Sequence, residues 1–297
     1  MRDYQIITDA TCDMNQDLLD KNNILVIPMD VKMTDGEEFL HYPDFRNYSS
    51  EAFYAKIKSG VMASTTQITP SKYIDFFSPV LDSGKDILYI CFSSGMSGTW
   101  ESSMLAANVL AEKYEGQRVV SIDSLCACGG EGVFALKAAE NKQNGMDIDE
   151  NAKWLTENRL KLAHYFTVDS LDCLKRGGRI SKATAIIGTA LDIKPILYVN
   201  DEGKLVVYKK VRGRKTSLHY MITLTKETIV DPESQTLYIT QADCADEAEE
   251  FRKEVMREIP CRDVVITKVG PVVGTHTGPD HVCLFSWGTG RIPARQG

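Results

Sequence analysis

The stretch Ile87-Leu88-Tyr89-Ile90-Cys91-Phe92-Ser93-Ser94-Gly95-Met96-Ser97-Gly98-Thr99 decides how this chain is read. Six apolar residues run into a series of small hydroxyl and glycine residues, and a helix-favouring stretch over 100–115 follows. That order predicts a buried strand, a tight turn and a helix N-terminus. At such a terminus, unpaired N–H groups and the positive end of the helix dipole accept anions. A nucleophile elbow would need glycine where Thr99 stands, and a phosphate loop would need a closing Gly-Lys-Ser/Thr. Two readings remain: a hydroxyl and N–H cradle for a carboxylate or phosphate, or a capping turn whose serines satisfy only their own backbone.

The same strand–helix alternation extends outward. Residues 4–7 read as a strand running into Thr8-Asp9-Ala10-Thr11-Cys12-Asp13, with a helix starting near Asp13 as its N-cap. A second strand covers 24–28, and Thr69-Pro70 supplies a cap and a first-turn proline for a helix through Phe76 and Phe77. With a further strand over 118–122, this predicts a mostly parallel, doubly wound sheet that collects ligands at its carboxyl edge. Thr8-Asp9, Ser93 to Thr99 and Asp123-Ser124 all lie at that edge. The pattern changes after Asn144-Gly145-Met146. A helix over 149–160 and a strand over 164–168 precede Gly177-Gly178, which should stop a helix. Residues 193–199 and 205–211 flank the turn Asn200-Asp201-Glu202-Gly203 as a hairpin. A helix over 216–228 and a strand–helix–strand unit over 237–269 complete the pattern. The expectation is an α/β fold in two domains, an N-terminal α/β domain over 1–160 and a C-terminal α+β domain over 161–297.

Composition narrows the function. A net charge of -7 over 297 residues argues against a duplex nucleic-acid surface. No apolar run approaches the roughly 20 residues of a membrane helix, and the opening Met1-Arg2-Asp3-Tyr4-Gln5 lacks a signal peptide's apolar core. A cytoplasmic location is expected. Of the eight cysteines only Cys126 and Cys128 lie close together, and nothing completes a zinc set, so free thiols and no metal are expected.

Three other features bear on chemistry. Ser64-Thr65-Thr66-Gln67-Ile68-Thr69-Pro70 is a second hydroxyl cluster ahead of a helix; Thr69 caps, while Thr65 and Thr66 have no evident structural duty and are candidate ligand contacts or ordinary loop residues. Gly274-Thr275-His276-Thr277-Gly278-Pro279 sets one imidazole in a glycine-rich turn, as a hydrogen-bond partner for an acid or as a structural histidine. His281 has Asp280 and Cys283 nearby, in no known metal spacing. The basic islands Lys175 to Arg179 and Lys209 to Lys215 read as a solvated face or as docking for an acidic or phosphate-bearing partner.

Taken in order, Thr8-Asp9-Ala10-Thr11, Thr65-Thr66-Gln67, Ser93 to Thr99, Asp123-Ser124, Lys175 to Ser181, Ile193-Lys194-Pro195-Ile196-Leu197 and Gly274 to Pro279 resemble the DegV family of bacterial fatty-acid-binding proteins. The resemblance spans nearly the whole chain. It implies two α/β domains with a long-chain fatty acid in an apolar tunnel between them, and no other cofactor. It implies a carboxylate held by Thr65, Ser97 (or its neighbour Ser94) and His276, beside the candidate contact Thr66, with no catalytic residue of the chain's own. It also implies a partner, a separate ATP-dependent fatty acid kinase that makes the acyl phosphate, met near Arg212 and Arg214. The residues alone leave open an enzyme acting on a small phosphorylated or carboxylated metabolite, with His276 as acid–base. The chain departs from the family pattern at Ala10, Thr66, Ile68 and Asp280, where serine, serine, proline and glycine are usual. Asp280 is expected to place a negative charge near His276, where it would orient the ring or raise its basicity.

Overall fold

The computed structural model describes residues 2–181 and 192–293. Strand β1 (Tyr4–Asp9) is buried throughout and runs into a single 3-10 turn, Ala10–Cys12. Helix α1 (Gln16–Lys21) starts at Gln16, not at Asp13, because Asp13 turns left-handed (φ 45) and its carboxyl is used elsewhere. After β2 (Ile24–Ile27) the chain enters an element the sequence reading lacked, an antiparallel sheet of β3 (Met29–Met33), β4 (Glu38–His41) and β5 (Ala63–Thr65), with α2 (Ser50–Lys58) between the last two. Helix α3 (Pro70–Asp82) begins as expected, capped by Thr69 with Pro70 in its first turn. Then come β6 (Asp86–Cys91), α4 (Thr99–Lys113), β7 (Val119–Asp123), α5 (Gly129–Gln143) and α6 (Ile148–Asn158).

Strands β2, β1, β6 and β7 form a wholly parallel sheet in that order. The chain reverses its direction of travel between β1 and β6, so the crevice for a ligand lies at the carboxyl ends of those two strands. The chain then continues through β8 (Leu162–Thr167), α7 (Asp172–Arg176), β9 (Ile193–Val199), β10 (Leu205–Arg212) and α8 (Arg214–Thr228). It ends with β11 (Thr236–Gln241), α9 (Ala245–Glu258), β12 (Asp263–Lys268), α10 (Pro271–Thr277) and β13 (Val282–Trp287). The second sheet has the order β10-β9-β8-β13-β11-β12. β9 and β10 pair as the expected hairpin, and β11 and β12 as the expected parallel unit. The sequence reading had no strand at β13, which lies between β8 and β11 and runs antiparallel to both. The motif around His276 is helix α10, not a turn.

The architecture is therefore α/β, a parallel sheet plus a mixed one, with α5 between them. The helix touches β1, β2 and β6 of the first sheet and β8, β11 and β13 of the second. Its first turns can lie so close to both because Gly129, Gly130 and Gly132 carry no side chain. A Cβ at Gly130 would sit 1.9 Å from His164 Nε2, and one at Gly132 2.5 Å from the backbone oxygen of Cys12. One apolar core runs between the sheets through both halves of the chain, and a second fills the far face of the six-stranded sheet beneath α8 and α9. Among the described residues no helix is long and apolar enough to cross a membrane.

Gly132→Ala sets a helix-propensity gain of about 1 kcal/mol against an overpacked backbone contact costing about 1–3 kcal/mol. Urea unfolding is expected to show a net loss of stability; a net gain would mean that α5 has room to shift.

Candidate functional site

A cavity of about 350 Å³ opens at the carboxyl ends of β1 and β6, between the two sheets. Its walls are mainly apolar: Met29, Phe92 and Met96 from the first half, Phe166, Leu174 and Val273 from the second. The β9–β10 hairpin closes one side with Val199 and Leu205. Its tip is fastened to the turn ahead of α4, where Ser93 Oγ donates to the Gly203 carbonyl at 2.8 Å and a Cβ at Gly95 would lie 2.4 Å from the Glu202 oxygen. Arg291, only 2% exposed, holds the base of the same turn by donating to the Asn200 carbonyl at 2.8 Å.

The expected site residues converge, with one exception. Thr65 Oγ1 and His276 Nε2 share a hydrogen bond at 2.9 Å, joining two motifs 211 residues apart. The unforeseen small sheet makes this possible, because its strand β5 carries Thr65 and packs on α10, which carries His276. Thr66, exposed, lines the mouth beside Gln67. Ser97 lines the cavity with its Oγ 2.7 Å from Thr99 Oγ1, just before α4 begins. Gly98 cannot cap that helix with a side chain, and Ser97 Oγ instead accepts its first N–H, that of Thr99, at 3.3 Å. Ser94 is the exception. Its Oγ and N–H both donate to Asp123, at 2.6 and 3.1 Å, and it does not line the cavity.

The electrostatics differ from the sequence expectation. Burial pushes His276 down to about 4, and the positive charges of Arg179 and Arg176 add to the shift. Asp280 plays no part in it, so His276 is a neutral donor or acceptor at pH 7 and not a counter-charge. The backbone at Asp280 is left-handed (φ 59), which explains why glycine suits that position; aspartate tolerates it. Positive charge at the cavity comes instead from Arg179, partly buried and lining the wall, with no carboxylate partner among the described residues. The sequence reading had placed it in a basic island; Gly177-Gly178, which turn the chain after α7, were the available signal. Gly177 also admits the imidazole, since a Cβ there would lie 2.5 Å from His276 Nδ1.

The two arginines expected to meet a partner lie differently. Arg212, at the end of β10, is exposed. Arg214 is 17% exposed and committed within the chain, donating from Nε and Nη2 to Glu247 of α9 at 2.7–3.1 Å and from Nη2 to the Asp280 carbonyl at 2.6 Å. All eight cysteines are free thiols, and among the described residues no cluster is suited to a metal ion.

Asp13 has a role the sequence hid. Its Oδ1 accepts the N–H of Gly270, the residue before α10, at 2.7 Å, and Oδ2 accepts the Cys128 thiol at 3.0 Å. It thereby fixes the helix that carries His276. Burial pushes its carboxyl up to about 8. The folded value exceeds the unfolded one, so its stabilising contribution is complete below about pH 4 and lost as pH rises toward 8. Asp13→Asn removes this dependence, and its melting midpoint relative to wild type is expected to climb by several degrees across that window. Parallel pH profiles of the two proteins would show Asp13 to be ionised in the fold instead.

Comparison with known proteins fits this architecture. The family model described as uncharacterised protein, DegV family, matches residues 3–287. A DegV domain-containing protein of Clostridium perfringens is 38% identical over 99% of this chain and 100% of the relative. One of Streptococcus pyogenes is 33% identical, covering 95% of this chain and 97% of its own. Among solved structures, a DegV family protein of Thermus thermophilus described by its fatty acid binding aligns with a TM-score of 0.86 and 26% identity, over 97% of this chain and 100% of that one. DegV of Bacillus subtilis, described as a fatty acid binding protein, aligns with a TM-score of 0.83 and 27% identity, over 96% and 99%. This chain belongs to the DegV family.

Proposed function

We propose that the protein binds one long-chain fatty acid in the cavity between its halves, 1–160 and 161–297, and presents the carboxylate to a separate ATP-dependent fatty acid kinase. The observation that carries this is the Thr65–His276 pair at one end of an apolar cavity of about 350 Å³. That volume falls within the roughly 300–1,000 Å³ of small-molecule pockets. Each methylene buried contributes about 0.8 kcal/mol, offset by the ordering of a flexible chain. The carboxylate, removed from water, needs donors. Ser97, Thr65, Thr66, the N–H groups of α4 that follow Thr99 and a neutral His276 supply them, with Arg179 as the countercharge.

The fatty-acid binding described for the Thermus and Bacillus relatives supports the cargo; the kinase follows from the family resemblance. Two features suit that second part. The carboxylate end lies at the mouth, where Thr66 and Gln67 are exposed, so a phosphoryl donor can reach it. Arg212 is exposed as well, and the ion pair of Arg214 with Glu247 fixes the start of the helix that follows it. The apolar walls weigh against a small charged metabolite, and a histidine held near 4 is a poor general base at neutral pH.

Native mass spectrometry of the purified protein is expected to show one fatty acid per chain. Ser97→Ala and His276→Ala should each weaken its binding by about tenfold, as for loss of a hydrogen bond to a charged group, with unchanged melting temperatures. Gly177→Ala should do the same by displacing the imidazole. Wild-type affinity in both Ser97→Ala and His276→Ala would rule out this carboxylate site. For the partner, Arg212→Glu is expected to lower acyl-phosphate formation with the kinase while fatty-acid affinity stays the same. Full coupling in that variant would place the kinase on another face.

A further inference from the structure

Helix α4 buries mainly small and polar side chains and exposes three of its large apolar ones. Thr99, Ser102, Ser103, Ala106 and Leu110 face the core. Six of its exposed residues, Glu101, Met104, Leu105, Asn108, Val109 and Glu112, follow the i, i+3, i+4, i+7, i+8, i+11 spacing of one helical stripe. The centre of that stripe is apolar: Met104 is 37% exposed, Leu105 58% and Val109 52%. Among the described residues nine large apolar side chains are exposed, and no other element carries more than one of them. Single exposed apolar residues are ordinary on a protein surface, whereas a contiguous set marks a contact.

The stripe starts at the site. Gly98 and Thr99 line the cavity, and Gln67 of the mouth donates to Ser102 Oγ at 3.2 Å. At a rise of about 1.5 Å per residue, Leu105 and Val109 lie about 9 and 15 Å along the axis from Thr99. A partner seated on them therefore stands beside the mouth. Charge restricts what that partner can be. Glu101 and Glu112 bracket the apolar centre, and neither has an ion-pair partner among the described residues. Lys113, beside Glu112 in sequence, is drawn over the Tyr114 ring at 4.8 Å. An anionic bilayer would be repelled by these carboxylates. Three partly exposed side chains also cannot supply the about 800 Å² per partner of a stable interface, so a permanent second copy of the chain does not fit them. A transient partner does, one whose apolar surface is edged by lysine or arginine.

We propose that this stripe of α4 is where the phosphoryl-transferring kinase docks, through an apolar ridge bordered by basic residues. The inference rests on the kinase reading above and adds to Arg212 a second contact, of opposite charge and beside the mouth. A kinase that must release its carrier after each turnover needs a small face of this kind, open to solvent between encounters.

The test is a steady-state assay of the fatty acid kinase purified from the same organism, with ATP in excess and the octadecanoate-loaded full chain as the varied substrate. Met104→Gln combined with Leu105→Gln is expected to raise KM for the loaded chain about tenfold with kcat unchanged, as for the loss of central apolar anchors. Glu112→Lys, which the helix dipole favours at that end, should raise KM about threefold by setting like charges together. Both variants should keep the wild-type melting temperature and octadecanoate affinity, because the altered side chains face solvent. Wild-type KM in either variant overturns the proposal. So does a wild-type dimer in sedimentation velocity, or binding to phosphatidylglycerol vesicles, that the double substitution abolishes, since the stripe would then serve a second copy or a bilayer. A kinase that leaves the loaded wild-type chain unphosphorylated overturns the kinase reading itself, and this docking face with it, while the bound acid keeps the cargo reading intact.

Discussion

The structure depends on a helix that lies against two sheets at once. An ordinary helix is kept about 10 Å from its neighbours by its side chains; α5 comes closer because its first turn is almost all glycine. The one large polar side chain in that turn, Glu131, is fully buried and accepts hydrogen bonds from Thr8 and Thr11, each at 2.6 Å. Thr11 also donates its N–H to Asp9, whose other oxygen accepts the Tyr89 hydroxyl at 2.7 Å. Two carboxyl groups thus share one buried network, and desolvation raises both above the usual carboxylate range. Their mutual repulsion favours keeping a proton on Glu131. This network seats α5 on the end of β1, and Ala127 and Cys128, the two residues ahead of the helix, line the cavity.

Much of this was legible because it obeys local rules. The parallel strands are short apolar runs closed by turn residues, Thr69-Pro70 is a cap with its proline, and Asn200 to Gly203 makes a hairpin. The missed elements each lacked one of those signals. β5 has three residues, too few for any periodicity. β3 does alternate, with Met29, Val31 and Met33 buried, but the 24–28 strand that precedes it masked the start. β13 opens on only four consecutive apolar residues, Val282 to Phe285, too short a run to separate strand from other buried chain. At the site, residue types pointed to Thr65, Ser97 and His276 without showing which would meet. Their contact is set by a sheet that local pattern did not reveal, and the roles of Asp13, Ser94 and Arg214 depend on partners 29 to 257 residues away.

The chemistry of the site follows from where charge is withheld. Histidine, serine and threonine at the proposed carboxylate end are all neutral at physiological pH, and Arg179 stands at the wall. A carboxylate gripped by several buried cations would be stabilised against attack and slow to leave. In the carboxylate site proposed above, neutral donors with one partly solvated arginine would orient an acid and leave its oxygens nucleophilic, a balance that suits the proposed transfer to a partner.

The position of β13 has a consequence for biosynthesis. It is the last strand to be synthesised among the described residues, yet it belongs between two strands made long before it. The parallel sheet can form once Asp123 has left the ribosome, since domains tend to fold as units during synthesis. The six-stranded sheet cannot. Until residues 282–287 emerge, β8 and β11 each present an unpaired edge at what will become the centre of the protein, the kind of edge that recruits foreign strands. The nascent chain therefore has no finished cavity between its sheets during most of its translation, and truncation products that stop short of β13 should be among the most aggregation-prone species it can make.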